Sequence, residues 1–128
     1  MAIRVVRLGD PRAPGEGLRL GTVRRPPRGV PRAQIEARDY YDVWVPDVAP
    51  SEALVKSART ATDASSWRRF ERAYRAEMKA PAAARLLDLL AALSQRTDFS
   101  VGCYCADAER CHRSILRALL VDRGARLA

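Results

Sequence analysis

Residues 99–122 read FSVGCYCADAERCHRSILRALLVD, and this stretch predicts a β-strand, a turn and an α-helix in that order. The strand is predicted over residues 99–105, where apolar and aromatic residues precede a polar turn. The helix is predicted to begin at residue 109 or 110 and to end at 121 or 122, because Gly124 follows as a helix terminator. A strand that leads into an amphipathic helix is typical of α/β proteins.

The preceding sequence contains further strands and helices. Strands are predicted over residues 2–8, 18–23 and 40–45, and helices are predicted after Ser51, after Ser65 or Ser66, and from Pro81. Residues 86–93 are apolar on nearly all sides, which predicts a largely buried helix. The sequence thus predicts one α/β domain over residues 1–128, with about four strands in a mostly parallel or mixed sheet flanked by helices.

The composition narrows the class of protein. The chain has 128 residues, 48% of them hydrophobic, which suits a single packed core. No apolar run approaches the roughly 20 residues that cross a bilayer, and the N-terminus does not resemble a signal peptide. The three cysteines are clustered rather than spread as in a disulfide framework. We therefore expect a cytoplasmic protein with reduced thiols and no membrane partner.

The basic charge indicates an anionic partner. The formal net charge is +8, and apart from Lys56 and Lys79 all 23 basic residues are arginines. Such a charge favours phosphate-bearing ligands or nucleic acid. Aromatic residues are only 6% of the chain, however, and no platform for base stacking is apparent. A small anionic ligand and nucleic acid both remain candidate partners.

All three cysteines and the only histidine lie between Cys103 and Arg113. Four interpretations of this cluster are open. A thiol could be activated by the helix N-terminus and Arg113, or the same helix end could bind an anion without covalent chemistry. The cysteines and His112 could bind zinc, or the cysteines could simply pack in the core.

The spacing argues against a metal site. Cys-x-Cys-x5-Cys-His departs from the paired Cys-x2-Cys spacing of common zinc sites. Moreover, two adjacent residues on a helix, such as Cys111 and His112, point about 100° apart. The sequence therefore predicts neither a metal nor a cofactor.

Several motifs resemble the bacterial and archaeal domain-of-unknown-function family 488. The segment from Cys105 to Arg113 has the form Cys-x5-Cys-His-Arg, which is similar to the closing motif of that family. The upstream matches, in the order of the family, are Gly17-Leu18-Arg19, Arg24, Pro27-Arg28-Gly29, Pro50-Ser51 with Leu54, and Phe70 with Tyr74 and Glu77. Pro26 stands where the family often has tryptophan, and Val23 where many members have an acidic residue.

The resemblance implies a single α/β domain and a shared site rather than a known reaction. The recurrent residues of the family match Arg19, Arg24 and Arg28 in the N-terminal half, and Cys105, Cys111, His112 and Arg113 in the C-terminal half. If both sets project from one edge of the sheet, they form a basic pocket lined with thiols.

We therefore predict that the protein binds a phosphate-bearing or other anionic ligand at this edge. Arg24, Arg28 and Arg113 would hold the anion, with Arg19 beside them, because guanidinium groups match phosphate geometry. His112 would orient the ligand or exchange a proton. Cys111 would be the nucleophile and Cys105 its resolving partner. The alternative is a nucleic-acid-associated module in which the cysteines are structural.

Overall fold

The structure is a computed structural model that describes residues 1–105 and 111–128. Within those residues it forms an all-parallel, four-stranded sheet in the order β1-β4-β2-β3, with four α-helices. The strands are β1 (Ile3–Arg7), β2 (Leu18–Gly21), β3 (Val43–Trp44) and β4 (Phe99–Cys103), and the helices are α1 (Glu52–Arg59), α2 (Ala64–Glu77), α3 (Pro81–Leu93) and α4 (His112–Asp122). The predicted single α/β domain is confirmed.

Strand β4 lies between β1 and β2, and all five of its residues are buried. Val101 sits opposite Val5 on one side and Leu20 on the other. The next residue, Gly102, lies very close to β1. A Cβ atom at this position would collide with the Val6 carbonyl oxygen. Strand β4 is therefore a buried, closely packed strand in the interior of the sheet.

The two faces of the sheet are covered differently. One face presents Ile3, Leu20, Phe99 and Val101 to the main core, where residues of α2, α3 and α4 pack against them. On the other face Arg19 donates to the carbonyl oxygens of Asp10 and Asp39, at 2.7 Å each. Arg19 thus fastens the loops after β1 and before β3 to the sheet.

Some predicted boundaries differ from the structure. Ser51 caps α1 as expected, but α2 is capped by Asp63 rather than Ser65 or Ser66, because its carboxylate accepts from the Ser66 amide at 2.7 Å. The prediction that α3 is largely buried is wrong, since Leu89 is 53% exposed and Leu93 38%. The predicted start of the last helix, at residue 109 or 110, lies outside the described residues.

No helix among the described residues is both long and apolar enough to cross a membrane.

Candidate functional site

The candidate site lies where the central strands end. Cys103 is the last residue of β4, and Cys111 immediately precedes the first residue of α4, His112. In open parallel sheets, the carboxyl ends of the strands and the helix starts that follow them form the usual place for ligands. The fold therefore puts the cysteine and histidine cluster at an edge suited to binding.

Cys103 and Cys111 form a buried pair. Their Sγ atoms lie in bonding contact, their Cα atoms are 7.8 Å apart, and each residue is only 1% exposed. Leu8, Val23 and other apolar residues enclose the pair in a second, smaller core.

Cys105 is the predicted resolving partner of Cys111, whereas the structure bonds Cys103 to Cys111. The prediction assumed that the strand continues to Cys105, but β4 ends at Cys103. Cys105 is exposed and takes no part in the buried pair. The structure thus bonds two cysteines to each other inside the protein, contrary to the expectation of reduced thiols, and places the third at the surface.

His112 is fixed by a carbonyl group and by an aromatic ring. Its Nε2 atom lies 2.8 Å from the carbonyl oxygen of Thr22, the residue just after β2. A carbonyl oxygen only accepts, so Nε2 carries the proton and Nδ1 keeps its lone pair. The ring of Tyr74 meets the imidazole edge to face, with centroids 5.9 Å apart. The ring position and the tautomer of His112 are therefore both set by the fold.

The surroundings also set the charge of His112. Burial lowers the pKa of the imidazole to about 4, and the positive charge of Arg113 acts in the same direction. The hydrogen bond to Thr22 opposes these two effects only in part. His112 is therefore neutral at pH 7, with Nδ1 available to accept a hydrogen bond or a metal ion.

The cluster brings three possible metal ligands together. The two Sγ atoms and one imidazole nitrogen of His112 lie within 4.8 Å of one another. The sequence argument against this arrangement assumed that Cys111 is helical. Its φ of −129° and ψ of 149° are extended, so the 100° separation of helical neighbours does not apply to Cys111 and His112.

Arg113 turns away from the cluster toward β1. Its residue is 6% exposed, and its Nη1 atom donates to the Val6 carbonyl oxygen at 3.3 Å. Arg113 also lines an open cavity of about 790 Å³ between β1 and the start of α4. Arg4, Arg7 and Arg117 line the same cavity. These three residues were not singled out from the sequence, although Arg113 and Arg117 stand at the i, i+4 spacing that places residues on one side of a helix.

The other three arginines singled out from the sequence have different surroundings. Arg19 is 1% exposed and lines the cavity wall, but its Nε atom donates to Glu16 at 2.8 Å. Arg24 donates to the carbonyl oxygens of Ala49 and Pro50, at 3.0 Å each. Arg28 is exposed and makes no hydrogen bond or ion pair within the described residues. Of the predicted ligand residues, only Arg113 and Arg19 reach the cavity.

The parallel sheet and the cysteine-histidine cluster at its carboxyl edge define a small α/β protein with a candidate thiol or metal centre. The family follows from the sequence: residues 3–124 match the family model described as the active DUF488-N3 subclade. The chain therefore belongs to the DUF488 family. No curated protein and no solved structure matches it significantly.

Proposed function

We propose that the protein binds a phosphate-bearing or similar anionic ligand in the cavity between β1 and α4. The observation that carries this proposal is the position of Arg113. Its guanidinium has five N–H donors, and the contact with Val6 engages one nitrogen at the long distance of 3.3 Å. No buried side-chain nitrogen or oxygen of the described residues lacks a partner, and an anion in the adjoining cavity would give the other Arg113 donors charge-assisted hydrogen bonds.

The charge balance of the cavity supports the same ligand class. Arg4, Arg7 and Arg117 line it together with Arg113, whereas its acidic side chains are Asp10 and Glu16. Glu16 is already neutralised by Arg19. Four arginines therefore line the cavity with one remaining acidic side chain, Asp10. Positive groups that converge on a concave surface raise the local concentration of anions and form charge-assisted hydrogen bonds with them.

The position of the cavity also connects it with the cysteines. Arg113 directly follows His112, so the cavity and the cysteine-histidine cluster share the first turn of α4. In this proposal the reactive thiol is Cys105, which is exposed, rather than the buried Cys111. Any thiol chemistry would thus accompany anion binding from a neighbouring position.

Titration calorimetry with inorganic phosphate and pyrophosphate tests the proposal. Arg117→Gln should weaken binding about tenfold, because it removes one charge-assisted interaction. Arg28→Gln is the matched control, since it removes an exposed arginine outside the cavity. Its affinity should stay within twofold of the wild type. Loss of binding in the Arg28 variant with no change in the Arg117 variant would move the site to the loop after β2.

The nucleic-acid alternative gives a different result in the same experiment. A short single-stranded oligonucleotide would bind more tightly than pyrophosphate, and its affinity would fall steeply with salt. The Arg28 and Arg117 variants would then weaken binding to similar extents, because each removes one phosphate contact. This pattern would replace the cavity proposal with a general basic surface.

A further inference from the structure

We propose that Cys103, Cys111 and His112 bind one zinc ion through their two Sγ atoms and the Nδ1 atom of the imidazole. The two Sγ atoms and an imidazole nitrogen of His112 lie within 4.8 Å of one another. In a tetrahedral zinc site, with Zn–S near 2.3 Å and Zn–N near 2.0 Å, the ligand atoms lie roughly 3.3–3.8 Å apart. Zinc binding therefore requires the two sulfur atoms to separate from their direct contact, while an imidazole nitrogen already lies within 4.8 Å of both.

The tautomer of His112 is the one that this site requires. Nε2 donates to the Thr22 carbonyl oxygen at 2.8 Å, which leaves the lone pair on Nδ1. Thr22 is itself fixed, because it is fully buried and its hydroxyl group donates to the Gly102 carbonyl oxygen at 2.9 Å. Histidines that bind metals usually donate their second N–H to such an acceptor, which orients the ring.

The backbone around the two cysteines suits a shared ion. Their Cα atoms are 7.8 Å apart, whereas disulfides typically span about 4.4–6.8 Å between Cα atoms. When an ion lies between two thiolates, the Cα atoms of the two cysteines can lie farther apart than when the sulfur atoms are bonded directly. The Cα separation therefore suits two thiolates that bind a common ion in the reduced protein.

Charge and chemistry select the metal. Two thiolates buried at 1% exposure carry two negative charges that a divalent ion would balance. Thiolate and imidazole together favour zinc over magnesium or calcium, which prefer oxygen ligands. The three residues supply three of the four ligands of a tetrahedral ion. Cys105, although close in sequence, lies outside the group of converging donors.

The proposal does not depend on anion binding. Cys103, Cys111 and His112 do not line the arginine cavity, and Arg4, Arg7 and Arg117 do not belong to the metal-binding group. The protein could therefore bind zinc without binding phosphate, and it could bind phosphate without binding zinc. The two proposals are tested by different variants.

The direct test is to load the reduced full-length protein with zinc, remove the excess by dialysis, and measure the bound metal by mass spectrometry. We expect one zinc ion per chain in the wild type. In competition with a chromogenic chelator, Cys103→Ser and Cys111→Ser should each lose about 100-fold or more in affinity, and His112→Gln about tenfold or more. Cys105→Ser is the matched control and should stay within twofold of the wild type.

Further measurements on the wild type test the proposal even if circular dichroism shows that a variant does not fold. In the wild type, cobalt should replace zinc and give a thiolate-to-cobalt charge-transfer absorption in the near ultraviolet. At a urea concentration that allows iodoacetamide to reach the buried cysteines, zinc should also slow the labelling of Cys103 and Cys111 but not that of Cys105. The proposal is overturned if the reduced protein retains no zinc, if cobalt gives no thiolate band, or if Cys105→Ser loses zinc as readily as Cys103→Ser.

Discussion

Arg19 and Glu16 form an ion pair that is almost completely buried. The Nε atom of Arg19 donates to Glu16 Oε2 at 2.8 Å, and the two side chains are 1% and 3% exposed. The Ser100 hydroxyl group donates to the same carboxylate oxygen at 2.7 Å. Arg19 is one of the residues that match the family motifs, and these contacts make it a link between β2, β4 and the loop that precedes β2.

Glu16→Gln should therefore destabilise the protein strongly. The substitution leaves the charge of Arg19 buried without its counterion, and the loss of one partner of a buried pair costs about 3–5 kcal/mol. Urea unfolding at pH 7 measures the change. Glu71→Gln is the control, because it breaks the half-exposed pair with Arg75 and should cost less than about 1 kcal/mol. Equal losses in the two variants would contradict the structural role of Glu16.

The same carboxylate predicts how stability changes with pH. Burial alone would raise the pKa of Glu16, but hydrogen bonds from Arg19, Ser100 and the Ala13 amide outweigh it and hold the pKa at about 2. A carboxyl group whose pKa is depressed by folding stabilises the folded state above its ordinary pKa near 4.5. That contribution, about 3 kcal/mol, should disappear as the pH falls from 4.5 toward 2. In Glu16→Gln this decrease in the free energy of unfolding should be much smaller.

Arg24 should contribute to stability rather than to ligand binding. It donates to the Ala49 and Pro50 carbonyl oxygens just before Ser51, the residue that caps α1. Arg24→Gln should lower the free energy of unfolding by about 2 kcal/mol, because two carbonyl groups lose a charged donor. Phosphate affinity should remain unchanged. Abolished binding with unaffected stability would instead place Arg24 in the ligand site, as the family resemblance implies.

The three cysteines should differ in reactivity. Cys105 is exposed, whereas Cys103 and Cys111 are each 1% exposed. Brief treatment of the reduced native protein with iodoacetamide should label Cys105, and labelling of the other two should require urea. Peptide mass mapping measures the distribution, and Cys105→Ser should remove the rapid label. Rapid native labelling of Cys111 would support its predicted role as the nucleophile.

Tyr74 should stabilise the fold through its hydroxyl group and the candidate site through its ring. The hydroxyl group donates to the Val48 carbonyl oxygen at 2.6 Å, and the residue is fully buried. Tyr74→Phe should cost about 1–2 kcal/mol in urea unfolding, because it leaves a buried carbonyl group without its donor. The phenyl ring should still support His112, so zinc binding should persist.

Tyr40→Phe is the control for Tyr74, because the Tyr40 hydroxyl group has no hydrogen bond within the described residues. Tyr40→Phe should lower the free energy of unfolding by less than about 0.5 kcal/mol. If Tyr74→Phe is no more destabilising than Tyr40→Phe, the buried hydrogen bond contributes little.

The general arrangement of the chain was accessible from sequence because it depends on local patterns. Apolar runs and turn residues located β1, β2 and β4, and Ser51 and Pro81 located the starts of α1 and α3. The start of α2 was less certain, because Asp63, Ser65 and Ser66 are all capable capping residues within four positions.

The contacts of the candidate site depend on the tertiary fold and on the exact ends of the elements. The partner of Cys111 changed from Cys105 to Cys103 because β4 ends two residues earlier than predicted. The contact between His112 and Thr22 joins residues 90 positions apart and has no local signature. The ion pair between Arg19 and Glu16 could have been predicted from their spacing. The burial of Arg19, however, depends on the loops that surround it.

The proposed anion site consists of Arg113 and its neighbours Arg4, Arg7 and Arg117. Its most direct test is to follow the side-chain Nε–H signals of the arginines by nuclear magnetic resonance while inorganic phosphate is added at constant ionic strength. Anion binding in the cavity should shift and saturate the Arg113 signal, together with at least one of Arg4, Arg7 and Arg117, while Arg28 does not shift. A saturating shift at Arg28 with an unchanged Arg113 signal, or no saturation at any arginine, would contradict it.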